Sequence, residues 1–144
     1  MSVTDHRPPF RFAVRTRVGF DETDAQGIVY YGRYMPYFDR ARVEYLRHLG
    51  LLRPEQAGAE FVMRAQHVEY HAPARFDDEL EVFVRVRRLG RTSVTWEFEA
   101  MNAVSDEHLA TATQTAVYVA DRRPVRVDDA VRAAVVEFDT AVES

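Results

Sequence analysis

VGFDETDAQGIVYYGRYMPYFDRARVEYLRHLG, from Val18 to Gly50, is the stretch on which the fold turns. Its first residues finish a strand. Its middle is an acidic turn with one glycine, Asp21-Glu22-Thr23-Asp24-Ala25-Gln26-Gly27, and its second half carries the longest helical pattern in the chain. Tyr34, Phe38, Ala41, Tyr45 and Leu49 follow at steps of four, three, four and four, which lines one face of a helix. Asp39 with Arg42, and Arg40 with Glu44, have ion-pair spacing on the remaining surface. Pro36 is tolerated only in a first turn, so regular helix is expected from Tyr34 or Met35, and Gly50 is the natural stop. A carboxylate-bearing turn therefore feeds the start of an apolar-faced helix, where N–H groups without intrahelical partners and the positive end of the dipole lie. A carboxylate such as Asp24 near that end is placed to act on a carbonyl. Taken alone, its spacing favours a turn former or helix cap.

Outward from this stretch, the chain alternates. Phe10, Phe12, Val14, Thr16, Val18 and Phe20 face one way, and Arg11, Ala13, Arg15 and Arg17 the other, as in a strand with one buried face. Residues 1–9 read as a loose arm without the apolar core of a signal peptide. Beyond the helix, strands are expected at Phe61–Tyr70, Glu79–Leu89, about Val94–Ala100 and Leu109–Val119, with Gly90 making a turn. On the last, Ala110, Ala112, Ala116 and Tyr118 share one face, with Leu109, Val117 and Val119 on the other. Residues 121–144 read as a C-terminal segment with a short helix capped by Asp128 or Asp129 and striped by Val131, Val135 and Phe138. The order is strand, long helix, four strands in meander, terminal helix. That is an α+β domain spanning 1–144, a curved antiparallel sheet wrapped around one helix. Such a one-layer cover leaves an apolar edge, which favours a dimer.

Composition narrows the chemistry. A net charge of -4 argues against a generic nucleic-acid binder. Cysteine is absent, which removes thiolate nucleophiles, disulfides and cysteine zinc sites, and fits a cytoplasmic protein. No apolar run reaches the roughly 20 residues of a membrane helix, so no membrane insertion is expected. No serine–histidine nucleophile-elbow motif is present, which argues against a serine hydrolase. His67 and His71 lie four apart on a strand, about 13 Å, and do not have metal-ligand spacing, so no metal site is expected.

Asp24, Gly27-Ile28-Val29-Tyr30-Tyr31, Tyr34 and Phe38-Asp39-Arg40-Ala41-Arg42 together resemble the hotdog-fold thioesterases of the 4-hydroxybenzoyl-CoA thioesterase-like family. Val68-Glu69-Tyr70-His71-Ala72-Pro73-Ala74-Arg75-Phe76-Asp77-Asp78-Glu79-Leu80 is similar to the strand entry of the acyl-CoA thioesterase branch associated with Tol-Pal operons. Gly90-Arg91-Thr92-Ser93-Val94 is a third, weaker match. The resemblance implies a hotdog fold, pairing as dimers and often as dimers of dimers, and hydrolysis of acyl-CoA with water as co-substrate and no cofactor. It implies that Asp24 attacks the thioester carbonyl or activates water, and that the Tyr31 backbone N–H receives the oxyanion. It implies substrate contacts from Gly27, Ile28, Val29, Tyr30, Arg33, Tyr34 and His71, and phosphate contacts near Arg91 and Thr92. Arg85, Arg87 and Arg88 accompany Arg91 near the same turn, with Arg85 and Arg87 expected to point outward. The site is expected between two subunits, with Asp24 and Tyr31 from one and residues near His67 to Pro73 from the other. Two other readings stay open: an enzyme acting on acyl groups held by acyl carrier protein, and a non-catalytic acyl-binding or assembly module.

Overall fold

The computed structural model describes residues 2–52 and 60–144. Its elements are β1 (Ser2–Val3), β2 (Phe12–Arg17), α1 (Tyr34–His48), β3 (Glu60–Tyr70), β4 (Glu79–Leu89), β5 (Ser93–Asn102), β6 (His108–Ala120), β7 (Arg123–Pro124) and α2 (Asp129–Phe138). Short 3-10 turns occupy Phe20–Glu22 and Tyr31–Arg33. The named strands pair antiparallel throughout, giving the α+β hotdog arrangement expected from the sequence.

The long helix begins where Pro36 allows, with the proline in its first turn, and buries Tyr34, Tyr37, Phe38, Ala41 and Tyr45. Phe38 packs on Phe98 with ring centroids 5.1 Å apart, and Tyr45 meets Trp96 edge-on at 5.1 Å. β6 sets small residues against the core face of β5: Val94 lies opposite Ala116, Phe98 opposite Ala112, and Ala100 opposite Ala110. Gly50 ends the helix with φ +72°, its N–H donating to Arg47 O and that of Leu51 to Leu46 O. Asp39 pairs with Arg42 as spaced, but Glu44 takes Arg47, and Arg40 instead donates to Thr16 Oγ1.

The sheet order is β1-β2-β4-β5-β6-β3, with β7 beside β6. Only β4, β5 and β6 form a meander; β3 leaves its expected place and pairs with β6, Tyr70 opposite Ala110 and Phe61 opposite Tyr118. The connection over residues 71–78 is too long for a tight hairpin and long enough to cross three strand spacings, about 14 Å. It is pinned on the way: His71 and Ala72 donate to Leu109 O, Val29 donates to Ala74 O, and Val18 to Asp78 O. Leu109 is buried beside Ala110 rather than on the opposite face, next to a register shift between Ala100 and Met101.

The N-terminal residues are a strap rather than a loose arm. Ser2 and Val3 pair with Ala13 and Phe12. Phe10 leaves the expected face and joins Ala13, Phe83 and Met101 on the outer side of the sheet. Arg7 pairs with Glu99, and His6 packs edge-on against Phe83. Phe20 lies outside the strand in a 3-10 turn, 78% exposed.

At the other end, β2 stops pairing at Phe12 opposite Val84, and the C-terminal tail continues along β4: Leu89 donates to Glu143 O and Glu143 to Arg87 O. α2 presents Val135 and Phe138 to the core as its stripe predicts, and Phe138 packs edge-on against Tyr45. The buried Asp139 carboxylate then locks this segment. Its Oδ2 accepts the Tyr45 hydroxyl at 2.5 Å and the Val86 N–H at 2.9 Å.

Burial, the dominant cause, holds the Asp139 carboxyl above the usual carboxylate range, against the hydrogen bonds from Tyr45 and Val86. An acid raised in the fold is favoured neutral. Folding stability from this group is therefore greatest at low pH and is lost as pH rises from the unfolded value, near 4, through the native one. Asp139→Asn, which keeps an acceptor for both donors, is expected to flatten this dependence in urea unfolding between pH 4 and 7. Asp139→Ala strands two buried donors and is expected to lose about 2–4 kcal/mol at pH 5.

Candidate active site

Asp24 sits in a tight loop whose ends meet at the bridge between Thr23 and Val29. The loop closes because Gly27 adopts φ +76°, in the left-handed region, and its N–H reaches Asp24 O at 3.0 Å. Asp24 Oδ1 accepts the Gln26 N–H at 2.8 Å and the Ile28 N–H at 3.4 Å, and its own N–H donates to Ile28 O. One carboxylate oxygen thus holds the turn, and the side chain is exposed.

The chain then rises through Val29, buried under the crossing segment, into the 3-10 turn at Tyr31–Arg33 that runs straight into α1. The opening N–H groups of this continuous helix have no intrahelical acceptor, and the dipole adds positive potential there. Above them lies a cleft of about 290 Å³. Ile28, Val29, Tyr31, Tyr34 and His71, all singled out from the sequence, line it together with Tyr70, Ala72 and Pro73. Tyr70 fixes the wall: its hydroxyl donates to Tyr31 O at 3.2 Å and its ring lies 4.8 Å from that of Tyr31. Tyr34 is pinned from below, its hydroxyl accepting the Ala74 N–H at 3.3 Å. Burial raises the Tyr34 phenol above its ordinary value, so it stays a neutral wall.

The other expected residues lie apart. Asp24 and Gly27 are not in the lining; their loop is tied to it through Ile28, which bonds Asp24 at both its N–H and its carbonyl. Tyr30 and Arg33 are partners outside the lining, with Arg33 Nε donating to the Tyr30 hydroxyl at 2.8 Å. Within one chain, residues 70–73 already stand beside Tyr31. Arg91 and Thr92 sit beside Tyr118, at the opposite end of β6 from Ala110, about 25 Å along the strand from the cleft. Arg85 does not face outward into solvent: it is buried, donating to Glu97 at 2.7 Å and lying over Phe10. Among the described residues, no group of three His, Asp or Glu side chains converges as metal ligands do.

A second groove, of about 330 Å³, follows the same seam between α1 and β3, with Met35, Phe61, Met63 and Ala116 as its apolar walls. Gln114, fully buried beneath the seam, is satisfied by Arg42 at 2.5 Å and Gln66 at 2.9 Å.

Residues 26–107, which begin just after Asp24 and include the cleft and the helix, match the thioesterase superfamily. The chain belongs to that superfamily. The acyl-CoA thioester hydrolase YbgC of Escherichia coli O157:H7 is 40% identical over 98 residues, covering 65% of this chain and 70% of its own length. The acyl-CoA thioesterase YbgC of Haemophilus influenzae is 32% identical over 126 residues, covering 85% and 93%. Among solved structures, a thioesterase from Thermus thermophilus, crystallised with coenzyme A and zinc, superposes with a TM-score of 0.80 at 26% identity, covering 92% of this chain and 96% of its own. An Aquifex aeolicus protein superposes at 0.80 with 32% identity, covering 86% and 98%. In this thioesterase the aromatic wall should be held by its hydrogen bonds as much as by packing. Tyr34→Phe removes the acceptor for the Ala74 N–H and is expected to lower stability by about 1–2 kcal/mol in chemical denaturation.

Proposed function

We infer that the protein hydrolyses acyl-CoA thioesters to a free acid and coenzyme A, with Asp24 and the Tyr31 backbone N–H as its reacting groups. The observation that carries this is the junction of a carboxylate loop with the open end of a helix at an apolar cleft. The names of the YbgC relatives support the substrate class.

A thioester carbonyl is already electrophilic, and the barrier lies in gathering charge on its oxygen. A fixed N–H at the helix start meets that charge without reorganising, and loss of such a donor in other enzymes lowers rate about 10²–10³-fold. Asp24 supplies the attack. As nucleophile it forms a mixed anhydride with loss of the thiolate, and water then cleaves the anhydride. As base it takes a proton from water, whose oxygen adds to the carbonyl before the thiolate leaves. Both routes release coenzyme A and the acid.

The arginine turn at Arg91 is remote from the cleft within one chain. β3 is a long edge strand with Phe61, Val62, Met63 and Tyr70 exposed. Two chains pairing antiparallel through β3 about a two-fold axis would bring the Phe61 end of one strand to the Tyr70 end of the other. The partner subunit's Arg91 and Thr92 then lie toward the cleft, where a forked guanidinium suits the coenzyme phosphates. Arg33, beside the helix start, is the same chain's own cation for an anionic group of the substrate. We assign the reaction to a soluble homodimer in the cytoplasm, with pairing of dimers as a further level of assembly.

Asp24→Asn is expected to lower kcat at least about 10³-fold in a thiol-release assay over short, long and aromatic acyl-CoA esters, with fold and assembly unchanged. Wild-type-like turnover would sink the reading. Activity on acyl carrier protein esters but none on free coenzyme A esters would favour the carrier-bound substrate; ligand binding without thiol release would favour a non-catalytic module. The shared site has its own check. Mixing inactive Asp24→Asn and Arg91→Ala chains is expected to restore about a quarter of wild-type activity at low substrate, because half the dimers are hybrids with one intact site. No recovery after verified subunit exchange would place Arg91 elsewhere.

A further inference from the structure

On the outer face of the sheet, behind the cleft wall, His71 and His108 lie ring against ring at 4.4 Å. One hydroxyl joins them. Thr111 Oγ1 is 3.0 Å from His71 Nε2 and 3.0 Å from His108 Nε2. His71 also lines the cleft, so this pair is in direct connection with the site. The chain of contacts runs on from His108 to Glu99, 3.8 Å away, and from Glu99 to Arg7 of the N-terminal strap.

The hydrogen count of this unit is restrictive. A threonine hydroxyl has one hydrogen and two lone pairs. With both imidazoles neutral, the hydroxyl either donates to one Nε2 and accepts from the other, or accepts from two Nε2–H groups. With one proton added, both Nε2–H groups donate to the oxygen and the hydroxyl hydrogen turns away. Both contacts survive. A second proton adds no hydrogen bond and sets two cationic rings with centroids 4.4 Å apart.

We propose that Thr111 and His108 are positioning residues for His71, and that this unit accepts one proton but expels His71 from the cleft wall when it takes a second. The proposal rests on the hydrolase reading for its effect on turnover, but not for its chemistry.

The surroundings favour this behaviour. Burial holds His108 below the ordinary imidazole range; Glu99 opposes that, while charge on His71 and on Arg7 reinforces it. Glu99 is also engaged by two nitrogens of Arg7; it is the largest opposing charge at His108, and burial still outweighs it. Across from Thr111 on β3 stands Glu69, which faces His67 at 3.4 Å. A base lowered in the fold stays neutral at pH 7 and is charged only on the acid side of the free imidazole value, near 6.5. The wall is therefore set at neutral pH and released as pH falls.

Two measurements test this. Imidazole titration by NMR, without substrate, is expected to move the His108 midpoint to higher pH in His71→Gln than in the wild type; an unchanged midpoint would overturn the coupling. The pH profile of kcat/KM, read with acetyl-, octanoyl- and benzoyl-coenzyme A, is expected to fall about tenfold from pH 7.5 to 5.5 in the wild type and less than about threefold in His108→Gln. Parallel profiles, or a flat wild-type profile, would overturn the gating. A merely structural role would lower the plateau and leave the shape alone. Absence of turnover on every ester would remove the hydrolase reading, and with it the gating, while the NMR arm still decides the coupling.

Discussion

The structure depends on one enclosure: an aromatic helix face taken inside the concave side of the sheet, with α2 closing over one end of it. Tyr34, Phe38 and Tyr45 meet Phe98 and Trp96 there, and every one of these rings is buried. Losing a single such ring typically removes about 3–5 kcal/mol, a large part of a domain's net stability. The sheet must therefore follow the helix axis, and the helix N-terminus cannot drift. This is what makes the Tyr31 amide a fixed dipole rather than a mobile one. In the proposed mechanism the Tyr31 amide takes its rigidity from the core, not from the loop that carries Asp24.

The crossing segment over residues 71–78 couples the two. It leaves β3, takes Leu109 O for its first amides, gives Ala74 O to Val29 and Ala74 N–H to Tyr34, and reaches β4. A single excursion of eight residues thus fastens the cleft wall, the Asp24 loop and the first turn of α1 to one another. The cleft is consequently a property of the chain's topology. A simple meander would have left residues 71–73 in a hairpin away from Tyr31.

Much of this was legible from residue spacing. The start of α1 followed from Pro36, its stop from Gly50, and its buried face from steps of three and four; the cleft residues Ile28, Val29, Tyr31, Tyr34 and His71 lay in the motifs that carried the family resemblance. What periodicity does not encode is partner choice. A strand's alternation is the same whichever neighbour it takes, so β3 beside β6 was not readable, nor was the side of the sheet on which Phe10 would settle. Arg85 shows the same limit. Alternation set it on the outer face, but not the strap residue Phe10 and the tail that cover it there. Tyr70 drew no separate role because its partner, Tyr31 O, is 39 residues away in sequence.

The two margins of the sheet are treated differently. Beside β2 and β4, the margin is finished by the two-residue β1 and by the tail that runs past Arg87 to Glu143. On the far side, β3 keeps a long margin with its backbone and apolar side chains outward. Lateral growth of such a sheet is self-terminating. In the proposed pairing through β3, one neighbour would cover the long margin and the composite would show only finished borders, so lateral association would stop at two chains.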